Sequence, residues 1–125
     1  MLFDADVLIW LLRGNERAIA EVDACAERRA SIVTLMELLQ GARNRRESGS
    51  IRNLLGELGV HVVPITAEVG SLAAAIIEEH ALAHGIQVVD AMVAATSLHH
   101  GWPLCSGNAK HYRPVKGLEL KLFRP

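Results

Sequence analysis

The chain has 125 residues, a formal charge of -1 and a composition that is half hydrophobic but only 4% aromatic. That length predicts one domain over residues 1–125, with a core of Leu, Val, Ile and Ala. The charge excludes a whole-domain basic field for nucleic acid, though not local basic patches. No apolar stretch approaches the roughly 20 residues that span a bilayer, and the apolar start meets Asp4 too soon for a signal peptide. Cys25 and Cys105 stand far apart without metal-ligand spacing, which predicts buried free thiols and a soluble, cytoplasmic protein with no membrane partner.

In chain order, residues 1–3 predict a short buried strand ending at Asp4, and residues 7–13 an apolar helix stopped by Gly14. Asn15 can cap a second helix through Glu27, with Ile19, Val22 and Ala26 at helical spacing. Residues 30–33 predict a second strand. Thr34 then opens a helix that carries Leu35, Leu38, Leu39 and Ala42 on one side. Residues 43–50 are polar and loop-like, and residues 51–58 predict a helix. Residues 60–65 form a β-branched strand whose end Pro64 places at a sheet edge. Thr66 starts a long Ala-rich helix to about His84, residues 87–89 make a brief linker or strand, and Asp90 caps a helix over residues 91–100. Leu104 and Cys105 predict another strand, followed by Ser106-Gly107-Asn108, and alternation over residues 118–123 predicts the last. Strands alternating with helices imply an α/β fold, a parallel sheet covered on both faces.

Three carboxylates stand at junctions of this pattern, and each has a structural as well as a chemical reading. Asp4 lies between a strand and a helix. Glu37 fits a capping box with Thr34, and Asp90 fits a plain N-cap. Singly, capping accounts for each. Jointly they read differently, because segments that follow the strands of a parallel sheet gather along one edge, where such folds bind ligands. Two charges about 5 Å apart interact by roughly 3 kcal/mol at an effective dielectric near 20. A pocket holding Asp4, Glu37 and Asp90 therefore needs a proton or a cation, and hard oxygen donors with no His or Cys among them suit Mg²⁺ or Mn²⁺.

These residues also carry a family resemblance. "FDADVLIWLLRG" looks like hydrophobic-D-x-N-V-L-I, "SIVTLMELLQGA" resembles a segment with a central Glu, and "VVDAMVAATSLHHGWPL" is similar to D-A-x-I-A-A-T-A-x-x-x-G. "CSGNAKHYRPVKGLEL" resembles a closing T-x-N-x-x-H-F segment. In order and spacing the chain resembles the PIN-domain family, most closely VapC-type toxin ribonucleases of bacterial toxin–antitoxin pairs. Four departures stand out: Asp6 replaces the usual Asn, Ser106 replaces Thr, Asn108 stands where some relatives have Asp, and His111 stands where many have a second Asp.

The resemblance implies a three-layer α/β/α sandwich around a central parallel sheet and an Mg²⁺-dependent endoribonuclease. Asp4 and Asp90 are then the main metal ligands, Glu37 binds directly or through water and helps take a proton, and Asn108 with Ser106 orients the water or phosphate. The fourth acidic position is left between Asn108 and His111. Arg43, Arg45 and Arg46, with Lys110, Arg113 and Lys116, form two clusters that read either as solvated faces or as an RNA path. Trp10, Leu11, Leu12, Leu35 and Leu39 read as core, or as a groove for an amphipathic segment of a VapB-type antitoxin. The resemblance also implies a homodimer. Two other readings remain at this point. A non-catalytic PIN-like module would hold RNA or a protein without cutting. A haloacid-dehalogenase-like phosphatase would use "LFDAD", with Asp4 as nucleophile and Asp6 as general acid, but needs a closing acidic pair that does not follow Lys110.

Overall fold

A computed structural model describes residues 1–125. Strands β1 (Leu2–Phe3), β2 (Arg29–Ser31), β3 (His61–Val63), β4 (Leu104–Ser106) and β5 (Leu120–Leu122) make one sheet in the order β3-β2-β1-β4-β5. Every neighbouring pair is parallel. The helices are α1 (Ala5–Leu12), α2 (Glu16–Asp23), α3 (Ile32–Gln40), α4 (Arg45–Glu57), α5 (Ala67–His84), α6 (Val88–His100) and α7 (Ala109–Tyr112).

Alternation along the strands splits the core in two. Phe3, Ala30 and Cys105 face one layer with Leu8 of α1, Val22 of α2, Leu38 of α3 and Leu55 of α4. Leu2 and Leu104 face the other, with Val69 and Ile76 of α5, Val93 of α6 and Tyr112 of α7. The chain winds outward from β1 to β3 under α1–α4 and returns to β4 under α5 and α6. Right-handed crossovers travelling in opposite directions must cover opposite faces. The result is the expected three-layer α/β/α sandwich. β3 is an edge strand, as Pro64 indicated. Both cysteines are free, Cys105 buried and Cys25 half-buried, and burial pushes the Cys105 thiol up to about 12. No helix is long and apolar enough to cross a membrane.

Several boundaries differ from the sequence reading. Ile32 and Val33 belong to α3 instead of a strand. Ser31 is the N-cap and accepts from the Val33 N–H at 3.2 Å, so Thr34 lies inside the helix and the Thr34–Glu37 capping box does not form. The β-branched pair favours a strand locally, and packing of Leu35 and Leu38 into the core overrides it. α4 begins at Arg45, within the supposed loop, capped by Asn44, whose Oδ1 accepts from the Glu47 N–H at 2.9 Å. Only Ile51 and Leu55 of this helix are buried, so its first turns are polar. α6 starts at Val88, which makes Gln87 the N-cap and Asp90 the third helical residue. Asp90 still closes a capping box, accepting from the Gln87 N–H at 3.2 Å. α2 stops at Asp23 instead of Glu27, and the short α7 had no counterpart in the sequence reading.

Candidate active site

The strand order reverses between β1 and β4, and ligands of open α/β sheets bind outside the carboxyl ends of the strands at such a switch point. Asp4 is the first residue beyond β1, and its N–H extends the sheet pairing to the Cys105 carbonyl at 3.0 Å. The Asp4 side chain is 8% exposed. Its Oδ1 accepts from the Ala5 N–H at 2.9 Å, and its Oδ2 accepts from the Ser106 hydroxyl at 2.8 Å. Ser106, fully buried at the end of β4, also accepts from the Asn108 N–H at 3.1 Å. Burial raises the Asp4 pKa and the Asp6 charge adds to the rise, while the Ser106 and Ala5 hydrogen bonds oppose it.

α3 leaves β2 without a loop and packs against both α1 and α6. This carries Glu37, in its second turn, over the strand ends. Glu37 is exposed. Its carboxyl is raised first by desolvation, then by the charges of Asp4, Asp90 and Asp6. Asp90 enters from α6, and its Oδ2 lies 2.8 Å from His111 Nδ1, which in turn lies 3.0 Å from Asn108 Nδ2. One ring nitrogen cannot donate to a carboxylate and accept from an amide at once. The carboxylate is the stronger partner, so Nδ1–H donates to Asp90 and Asn108 is a neighbour of the pair.

No Lys or Arg pairs with Asp4, Asp6, Glu37 or Asp90; the ion pairs that include a Lys or Arg lie elsewhere. Nor are any three acidic, imidazole or thiol side chains placed close enough together to hold a metal ion among them. The carboxylates share a field without touching. Asp6 has both oxygens engaged by backbone, from the Val7 N–H and the Gly107 N–H, each at 2.8 Å. It therefore does not offer the free general acid that the phosphatase reading needed. Tyr112 escaped the sequence reading. It is 1% exposed, and its hydroxyl has no partner within 3.5 Å although it is directed at Asp4 from just beyond that distance; burial, then the Asp4 and Asp90 charges, raise its pKa, so it stays a protonated donor. The available signal was a hydroxyl at the place where the resembled motif ends in Phe.

Beside Glu37 opens a groove of about 610 Å³ between α1, α3 and α4, with Ile9, Leu12, Leu38, Ala42 and Ile51 as its apolar lining. Of the residues expected there, only Leu12 lines it; Leu11 and Leu35 are buried in the core, and Trp10 and Leu39 pack against that core. The two basic clusters are exposed, and Arg43 is paired with Glu47 at 2.9 Å.

A parallel sheet of order 3-2-1-4-5 with carboxylates gathered at its switch point defines a three-layer α/β/α protein with an acidic strand-end site. The chain belongs to the PIN domain family, whose model matches residues 1–116. Solved structures share the fold. A toxin–antitoxin complex from Klebsiella pneumoniae is 24% identical, with a TM-score of 0.79 over 94% of this chain and 93% of that one. VapBC2 from Rickettsia felis, bound to a DNA fragment from its promoter, is 14% identical, with a TM-score of 0.85 over 98% of each chain. VapBC-1 from nontypeable Haemophilus influenzae is 20% identical, with a TM-score of 0.80 over 97% of this chain and 96% of that one. Comparison with curated proteins gives no match.

Proposed function

We propose that this chain is a divalent-metal-dependent endoribonuclease of the VapC type, the toxin of a toxin–antitoxin pair. One observation carries the reading: from remote segments of a PIN domain, Asp4 and Asp90 both bear on the Glu37 carboxyl, with no Lys or Arg paired to any of the three and only the His111 imidazole set against Asp90. A scaffold has no need of that repulsion.

The donor chemistry suits Mg²⁺ or Mn²⁺. Mg²⁺ keeps several waters and takes only one or two carboxylates directly, so a complete set of protein ligands is not required. Each Asp4 oxygen accepts a single hydrogen bond and keeps a lone pair free. Asp4 and Asp90 would hold the ion, with Glu37 reaching it through water. A bound ion would supply charge neutralisation at the scissile phosphate and a water of lowered pKa. Glu37, whose carboxyl retains its proton to higher pH than usual, takes up a proton at its carboxylate as the phosphodiester is hydrolysed. Ser106 keeps Asp4 oriented, and the Asn108 amide orients the phosphate. Lys110, Arg113 and Lys116 beside Asn108, with Arg45 and Arg46 near the groove, contact the RNA backbone.

The groove supports an antitoxin partner. An amphipathic helix lays its apolar face into such a channel, and the structural relatives include toxin–antitoxin complexes. Purified protein is expected to cleave RNA with Mg²⁺ or Mn²⁺, to stop in chelator, and to lose both metal affinity and cleavage in Asp90→Asn. Undiminished cleavage in excess chelator, or by Asp90→Asn, overturns the reading.

A further inference from the structure

We propose that Asp6 and Arg124 are positioning residues of this site, gripping Gly107 at its N–H and its carbonyl so that Ser106 and Asn108 stay in place around Asp4. The inference rests on the metal-site reading above. The Gly107 N–H donates to Asp6 Oδ2 at 2.8 Å, and the Gly107 carbonyl accepts from Arg124 Nη1 at 3.1 Å. The same Nη1 donates to the Phe123 carbonyl at 3.2 Å, which steadies the guanidinium. The Phe123 N–H, in turn, donates to the Ser106 carbonyl at 2.9 Å. A stretch of three residues is therefore tied to the start of α1 on one side and to the chain beyond β5 on the other.

The fit at Gly107 is close. A Cβ there would stand 2.7 Å from Asp6 Oδ2 and 3.1 Å from the Phe123 carbonyl oxygen, so the glycine is required by approach. The residues flanking it do the work at the site. Ser106 supplies the hydroxyl on Asp4 at 2.8 Å. Asn108 adjoins His111, the partner of Asp90. Both oxygens of Asp6 are engaged by backbone N–H groups, and the one on Gly107 reaches across from α1 to the segment beyond β4, which is the anchoring role.

Arg124 separates positioning from simple charge by sign. Removing a cation near an acidic pocket should tighten divalent-ion binding if only the field matters, whereas a loosened clamp should weaken it. Mn²⁺ affinity of the full chain, measured by titration calorimetry, reads this directly. Partners that orient metal ligands typically account for 10–100-fold in affinity, and Arg124→Ala is expected near the low end, weakened about tenfold, with Arg124→Lys recovering much of the loss. Gly107→Ala, which alters no charge, is expected to weaken Mn²⁺ binding similarly. Asp4→Asn is the control. If Asp4→Asn abolishes binding while Arg124→Ala and Gly107→Ala bind as the parent does, or Arg124→Ala binds tighter, the clamp is overturned and the metal site stands. If Asp4→Asn binds Mn²⁺ normally, the metal reading fails and takes the clamp with it.

Discussion

Ser106→Ala isolates one bond on which the acidic site depends. The substitution deletes a hydroxyl that donates to Asp4 Oδ2 at 2.8 Å, between side chains 0% and 8% exposed, and that accepts from the Asn108 N–H at 3.1 Å. A hydrogen bond to a charged group contributes roughly 1.5–3 kcal/mol, and a neutral one about 1 kcal/mol. Water entering the crevice should replace part of this, leaving a net loss of about 2 kcal/mol in metal-free protein by the same scale. For a domain of this size that lowers Tm by roughly 8 °C. The loss has a pH signature. The bond favours ionised Asp4, so the deficit is complete above the titration of Asp4 and shrinks as pH falls through it. Urea unfolding with chelator present, at neutral and at acid pH, measures both, and Ser106→Thr should recover most of the stability by restoring the hydroxyl. A deficit below about 0.5 kcal/mol at neutral pH, or one that does not change with pH, would refute the assignment of Ser106 as the partner of ionised Asp4.

Asp4 and Glu37 both have carboxyl pKa values raised above 3.8 and 4.5 in the folded state, Asp4 chiefly by burial and the exposed Glu37 by partial desolvation and then by the charges of Asp4, Asp90 and Asp6. The native chain therefore holds protons that the unfolded chain has released, and metal-free stability should fall as pH rises from those values through the folded ones. Added Mg²⁺ or Mn²⁺ should offset that fall; a Tm series against pH in which the ion changes nothing would count against the metal site. Tyr112→Phe removes a buried hydroxyl without a partner, so metal-free stability should hold or rise by about 1 kcal/mol. A clear loss in the same unfolding assay would show that the hydroxyl is satisfied after all. Leu12→Asp alters a side chain 37% exposed at the groove; it should leave Tm and RNA cleavage nearly unchanged while abolishing capture of an amphipathic antitoxin helix in a pull-down, and intact capture would place the partner elsewhere.

Residues 1–3 and 104–105 were readable as strands because burial imposes apolar runs on short segments, and Pro64 marked an edge because it has no N–H to give a neighbour. Thr66 was readable as a cap, and its Oγ1 does accept from the Val69 N–H at 3.2 Å. The alternation of strands with helices was enough for the α/β class. Elements whose local signals conflicted with their packing were harder. Ile32 and Val33 look like strand and are helix, and the polar opening turns of α4 look like loop and are helix. Intrinsic preferences amount to a few tenths of a kcal/mol per residue, so a well-buried neighbour such as Leu35 or Leu55 reverses them.

The carboxylate residues could be named from the sequence; their surroundings could not. Asp90 could be read as a cap or as a residue inside the helix, and only the path of α6 decides which group it meets. Asp4 and Ser106 are 102 residues apart in the chain and hydrogen-bonded at 2.8 Å. The pairing of His111 with Asp90, the unpartnered hydroxyl of Tyr112 and the grip of Asp6 on Gly107 are likewise products of strand order. By itself the sequence determined which segments are apolar enough to be buried and which side chains can bear charge. The tertiary structure alone decided which of those charges face one another, because strand order depends on the joint burial of distant faces, a quantity that no local window of residues contains.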